Sequence, residues 1–178
     1  MIEPDSPLVP GVRELEHTAD VGLEVTAPTL PEMFRRAALG AMWLVLGREA
    51  EGPGGVVPDL DAGAPGGLLS PEEGNGPQGV NRLVELVESD LPALFRSWLR
   101  TLLFWEEMDG FVVVDAVVAL APAPLCSSPT GQAFGLRAQV FGRDDRGPRL
   151  REVKGVTLHG LEVEQEGEVW KGTVIFDV

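Results

Sequence analysis

Apolar residues recur at two different periods along this chain, and the order in which those periods alternate limits the folds open to it. Val21, Leu23 and Val25 alternate with Gly22, Glu24 and Thr26, the pattern of a strand with one buried face. From Leu30 the spacing changes: Phe34, Ala37, Ala38, Ala41, Met42 and Val45 fall on one side of a helix. Thr29-Leu-Pro-Glu32 heads that segment as a capping box, in which Thr29 accepts from the Glu32 amide, Glu32 reaches back, and Pro31 sits in the first turn where its missing N–H costs least. Gly47 ends it, so the spacing predicts a helix over Leu30–Leu46.

Strand-like patterning resumes over Val80–Glu88. Ser89 or Asp90 then caps a second helix, with Pro92 in its first turn and a stripe of Leu91, Leu94, Phe95, Trp98, Leu99, Leu102 and Leu103, leaving Arg96, Arg100, Glu106 and Glu107 at other positions. A Trp and a Phe within such a stripe are core packing rather than a cofactor box. Phe111–Leu120 is β-branched and apolar, an inner strand, and Ala121–Thr130 reads as a Pro- and Ser-rich loop. Phe134–Phe141, Glu152–His159, Leu161–Glu164 and Trp170–Phe176 complete the strands, with turns at 144–147 and 165–168. The predicted class is α+β: a mostly antiparallel or mixed sheet of about seven or eight strands, with two amphipathic helices on one face.

With 178 residues, 44% of them hydrophobic, the chain is expected to form a single domain over 1–178. The segment Glu49–Gly79 is dominated by Gly, Pro and acidic residues without either period, so it reads as an insertion or flexible loop. Its glycines lack the spacing of a phosphate loop. A single cysteine, Cys126, allows no intrachain disulfide and no zinc–thiolate site, which points to the cytoplasm. No apolar run approaches the ~18 residues of a membrane span, and Met1-Ile-Glu-Pro-Asp5 is unlike a signal peptide. The net charge of −14, from 14 Lys and Arg against 28 Asp and Glu, repels phosphate backbones, so little direct nucleic-acid binding is expected. Such a charge serves solubility first, and a basic partner or a cation second.

The chemistry-bearing residues lie at the two ends of the sequence. Asp177 and the carboxyl of Val178 are adjacent hard oxygen donors, and Asp20 adds a third if the first and last strands meet. That set suits a divalent cation. The alternatives are a turn role for Asp20 and a salt bridge to these acids from Lys154 or an arginine, and the residues alone leave the choice open. On one continuous strand Lys154 and His159 point to opposite faces, so both are candidates for facing a partner or lining the site rather than for ligating. No nucleophile constellation emerges: Cys126 has no neighbouring His, and no Ser sits in a nucleophile elbow.

Taken together, His17-Thr-Ala-Asp20-Val-Gly22, the capped helix after Thr29, the Ser89-Asp-Leu helix with Trp98, the block Lys154-Gly-Val-Thr-Leu-His159-Gly-Leu-Glu162 and the ending Phe176-Asp-Val178 resemble archease. The likeness runs over most of Val12–Gly47 and Val80–Val178. It implies a compact α+β domain and a metal site of Asp20, Asp177 and Val178. It implies a divalent cation there, Ca²⁺ foremost and Mg²⁺ or Mn²⁺ as alternatives, with His17, Lys154 and His159 toward the partner-facing surface. It also implies an accessory protein, not itself an enzyme, that promotes guanylylation and multiple turnover of an RtcB-type RNA ligase in tRNA splicing and RNA repair. A metal-dependent phosphoesterase using Asp20 and Asp177 to hold a water-activating cation, and a chaperone-like interaction module, are the other readings.

Overall fold

A computed structural model describes residues 9–16, 20–47, 80–124 and 132–178; His17, Cys126 and the Glu49–Gly79 segment lie outside the described residues. The order is β1 (Val12–Glu16), β2 (Asp20–Ala27), α1 (Leu30–Leu46), β3 (Val80–Glu88), α2 (Leu91–Asp109), β4 (Phe111–Pro124), β5 (Gln132–Asp144), β6 (Gly155–Val156), β7 (Glu162–Glu166) and β8 (Val169–Asp177). Both helices start where the caps predict, α1 ends at Leu46 as the spacing predicts, and α2 runs on past its stripe to Asp109. Thr29 accepts from the Glu32 amide at 3.3 Å and Asp90 from the Ala93 amide at 2.7 Å, satisfying N–H groups that the first turn leaves without partners. Gly110 closes α2 in the left-handed region, at φ 68°, which favours glycine. Glu32 departs from the predicted capping box: instead of reaching back it accepts from Arg35 and Arg36 at 3.3 and 2.8 Å.

The eight strands form two antiparallel sheets rather than one. In the first the order is β1-β2-β8-β6, with β7 also on β8; in the second it is β3-β5-β4. Periodicity shows that a strand buries one face, but not which strands share a ladder. β1 has only Val12 and Leu15 as apolar residues among acids and an arginine, and as an edge strand it needs no full alternation; its pairing runs from Val12↔Val25 to Glu16↔Val21. The predicted Glu152–His159 strand shrinks to β6, and on its C-terminal side His159 and Gly160 form a turn with Gly160 at φ 62°. β4 extends through Ala121–Pro124, where a loop is predicted. It is an edge strand paired only with β5, and Pro122 and Pro124 are tolerated there because an outward-facing position has no ladder bond to lose.

The helices join both sheets into one core. α1 packs on β2 of the first sheet and β4 of the second, and α2 on β3, β4, β5, β6 and β7. Trp98, Phe34, Phe95, Phe111 and Phe176 are fully buried. The Trp98 indole N–H donates to the Phe34 carbonyl at 2.9 Å, and Phe34 meets Phe95 edge to face at 5.2 Å, so Trp98 is a core residue as predicted. Glu106 is not the solvent-facing residue that its place off the stripe suggests. It is buried and ion-paired with Arg149, which compensates a charge that would otherwise be costly to bury.

Gly142 has no room for a side chain. A Cβ there would stand 2.3 Å from the Phe111 ring, and that ring is held between Trp105, edge to face at 5.7 Å, and the Arg82 guanidinium at 4.4 Å. Gly142→Ala should therefore destabilise by about 1–3 kcal/mol and lower Tm by about 5 °C. Thermal unfolding checks this, and an unchanged Tm would show that the ring is free to move.

Candidate functional site

Burial sets the geometry at the end of the first sheet. Val21, Leu23 and Val25 on β2 lie opposite Phe176, Val174 and Gly172 on β8, and most of these are in the core. A one-residue slip would turn this whole apolar set to the other face, so the core fixes the register. That register makes Asp20 the direct partner of Asp177. Directly paired side chains of an antiparallel ladder share a face, with Cβ atoms about 4.5–5.5 Å apart; here it is the face away from the core. Asp20 is half-buried and Asp177 exposed.

β6 completes the site from the other side of β8, with Gly155 opposite Asp177. The Lys154 amide donates to the Asp177 carbonyl at 2.8 Å and the Thr157 amide to the Ile175 carbonyl at 2.9 Å. Arg96 on α2 donates to the Val156 carbonyl at 2.9 Å, anchoring this two-residue strand to the helix. Sequence spacing gave no signal for that positioning role. The Lys154 ammonium donates to the main-chain oxygen of Val178 at 3.0 Å. Asp20, Asp177, Val178 and Lys154 are therefore brought together.

His159 sits in the turn after β6, exposed, where its carbonyl accepts from the Thr157 hydroxyl at 3.4 Å. The turn breaks the face alternation that separates His159 from Lys154 on a continuous strand. Gly160 rests against Ile175, close enough that a Cβ would lie 3.1 Å from the Ile175 Cδ1. His17, predicted beside Asp20, lies outside the described residues.

Like charges directly opposite on a ladder destabilise it. Among the described residues, many acids elsewhere hold a cationic side chain: Arg13 pairs with Glu24 at 2.7 Å, Arg82 with Asp109 at 2.7 Å and Arg151 with Glu14 at 2.9 Å. None of the ion pairs among them engages the carboxylate of Asp20 or Asp177, and Lys154 turns to Val178 instead. The salt-bridge alternative therefore stays open at Val178, whose main-chain oxygen accepts from the Lys154 ammonium at 3.0 Å, and is not seen at the side chains of Asp20 and Asp177 among the described residues. Nor do three Asp, Glu, His or Cys side chains converge among them to hold an ion; the donors brought together are the carboxylates of Asp20 and Asp177 and the main-chain oxygen of Val178. All three are oxygen donors of the kind that Ca²⁺ and Mg²⁺ accept.

Residues 13–55 and 72–178 match the sequence model of the archease protein family, the break falling within the Gly- and Pro-rich Glu49–Gly79 segment. The chain is 28% identical over 168 residues to a protein archease of Methanopyrus kandleri, covering 93% of this chain and 97% of that one. It is 28% identical over 153 residues to one of Thermococcus kodakarensis, covering 84% and 85%. Identity to one of Methanosarcina acetivorans is 29% over 167 residues, covering 92% and 93%. The fold is similar to the solution structure of protein 1598 of Methanobacterium thermoautotrophicum, with a TM-score of 0.61 and 21% identity over 94% of this chain and 99% of that one.

Proposed function

From the premise that the chain belongs to the archease family, we propose that it is a metal-bearing accessory protein that activates an RtcB-type RNA ligase, promoting ligase guanylylation and repeated turnover in tRNA splicing and RNA repair. The observation that supports this reading most is the cross-strand pair of Asp20 and Asp177 beside the Val178 oxygen, with no side-chain cation on either acid among the described residues. Asp20, Asp177 and, in a chain ending at Val178, the terminal carboxyl would hold a divalent cation, Ca²⁺ foremost and Mg²⁺ or Mn²⁺ as alternatives. A cation bound there would supply concentrated positive charge at an otherwise acidic end, able to meet an anionic oxygen on the partner. Lys154 sets the neighbouring charge through its hydrogen bond to Val178 and, with His17 and His159, belongs to the partner-facing surface in this reading.

The chain acts on the ligase rather than on RNA in this proposal, because a net charge of −14 opposes the counterion release that drives non-specific nucleic-acid binding. Among the described residues no helix is long and apolar enough to cross a membrane, and action in the cytoplasm is part of the same proposal. Single-turnover guanylylation of the cognate ligase, with and without the protein, tests the reading. Faster guanylylation is expected, with no release of product when the protein alone is given generic phosphodiesters. An unchanged rate refutes the activator role, and phosphodiester cleavage by the protein alone would establish the phosphoesterase instead.

A further inference from the structure

The end of β8 is approached from two sides. β2 runs along one of its edges and β6 along the other, so Asp177 has Asp20 on one side and Gly155 on the opposite side. The β2 ladder stops at that pair, and Val178 lies one residue beyond it. In a chain ending there, the carboxyl turns about a single bond, and chain ends fray unless something holds them.

Lys154 is placed to hold this one. Its amide donates to the Asp177 carbonyl at 2.8 Å and its ammonium to the Val178 main-chain oxygen at 3.0 Å, while β6, which follows it directly, is tied to α2 through Arg96. Successive residues of a strand alternate in face, and Gly155 stands opposite Asp177, so Lys154 falls on the other face from the Asp177 carboxylate. There it shares a groove with Arg100 and Thr101 of α2, whereas Asp20 and Asp177 project from the face away from the core. Lys154 thus reaches the terminal oxygen from the helix side, and the two acids flank that oxygen from the opposite side.

We propose that Lys154 is a positioning residue of the cation site: it holds one oxygen of the Val178 carboxyl on the β6 side and thereby turns the other toward Asp20 and Asp177. The two oxygens of a carboxylate diverge, so fixing one beside β6 directs the other to the β2 side, where Asp20 stands. Charge points the same way. Asp20, Asp177 and a terminal carboxyl carry one more negative charge than a divalent cation offsets, and the Lys154 ammonium offsets the remainder from a face where it does not compete for either Asp side chain. Metal-binding carboxylates are commonly held in this manner by an outer hydrogen-bond donor. The role rests on the metal-bearing part of the proposed function and on no property of the ligase.

Calorimetric titration of Ca²⁺ into the full chain and its Lys154→Met and Lys154→Arg variants tests this, each protein prepared both ending at Val178 and with a C-terminal extension. In the chain ending at Val178, Lys154→Met should weaken Ca²⁺ binding about tenfold, and Lys154→Arg, which keeps a donor and the charge, should retain most of the affinity. Tm should stay close to that of the unmodified protein, because an exposed ion pair adds little stability. In the extended chain the carboxyl through which Lys154 acts is gone, and Lys154→Met should weaken binding no further. Tighter or unchanged binding by Lys154→Met would show that the ammonium competes for the oxygen or is idle, and an equal loss in both chains that it acts by another route; each overturns the proposal while the metal centre stands. No Ca²⁺ binding by the unmodified chain would refute the metal centre and this role with it. Because no ligase is present, these outcomes are separate from failure of the activator reading.

Discussion

Asp20→Ala should return ligase guanylylation to the rate of the ligase alone while leaving the fold intact. Asp20 projects from the face of β2 away from the core, and the ladder to β8 is made by backbone groups that the substitution keeps. Removing one of two opposed carboxylates relieves repulsion, so stability should hold or rise slightly. Activity and stability are thereby expected to move independently, which separates a ligand role from a structural one. Guanylylation rates at matched ligase concentration, with Tm on the same samples, make the comparison. Full acceleration by the alanine variant would remove Asp20 from the site.

The largest loss of stability should come from Trp98→Ala. The indole is fully buried, packs among the side chains of both helices, and donates to the Phe34 carbonyl at 2.9 Å. Truncation removes the transfer free energy and leaves a cavity, at a cost of about 3–5 kcal/mol. Against a net stability of roughly 5–15 kcal/mol, that should lower Tm on the order of 10 °C. Trp98→Phe should cost less, because it retains most of the apolar volume and loses chiefly the hydrogen bond, worth about 1 kcal/mol. An alanine variant with wild-type Tm would contradict the core assignment and reopen a binding role for this residue.

The helices were legible in the sequence because their information is local: caps, a first-turn proline, a terminal glycine and a stripe all lie within one segment. Strand pairing is not local. β1 escaped notice because an edge strand of Val12, Leu15 and charged residues needs little apolar alternation. The excess length predicted for the strand around Lys154 came from side-chain types that look extended until Gly160 turns the chain. Glu106 looked solvated because its partner Arg149 is distant in sequence.

The candidate site was legible only as a condition: Asp20 and Asp177 act together if the first and last patterned strands meet. β2 and β8 do meet, and burial of Leu23, Val25, Val174 and Phe176 selects the register that aligns the two acids. No local pattern indicated that Lys154 would reach Val178 or that Arg96 would hold β6.

Calorimetric titration of Ca²⁺ into the chain ending at Val178, and into the same chain carrying a C-terminal extension, tests the proposed metal centre most directly. An extension keeps every side chain but converts the Val178 carboxyl into a neutral peptide carbonyl, removing a charged donor from beside Asp20 and Asp177. Binding should be clearly weaker after extension. Asp177→Asn should weaken it at least as much, and an N-terminal tag should change nothing. Equal Ca²⁺ affinity in the extended, tagged and unmodified proteins would contradict a metal centre formed by Asp20, Asp177 and the Val178 carboxyl.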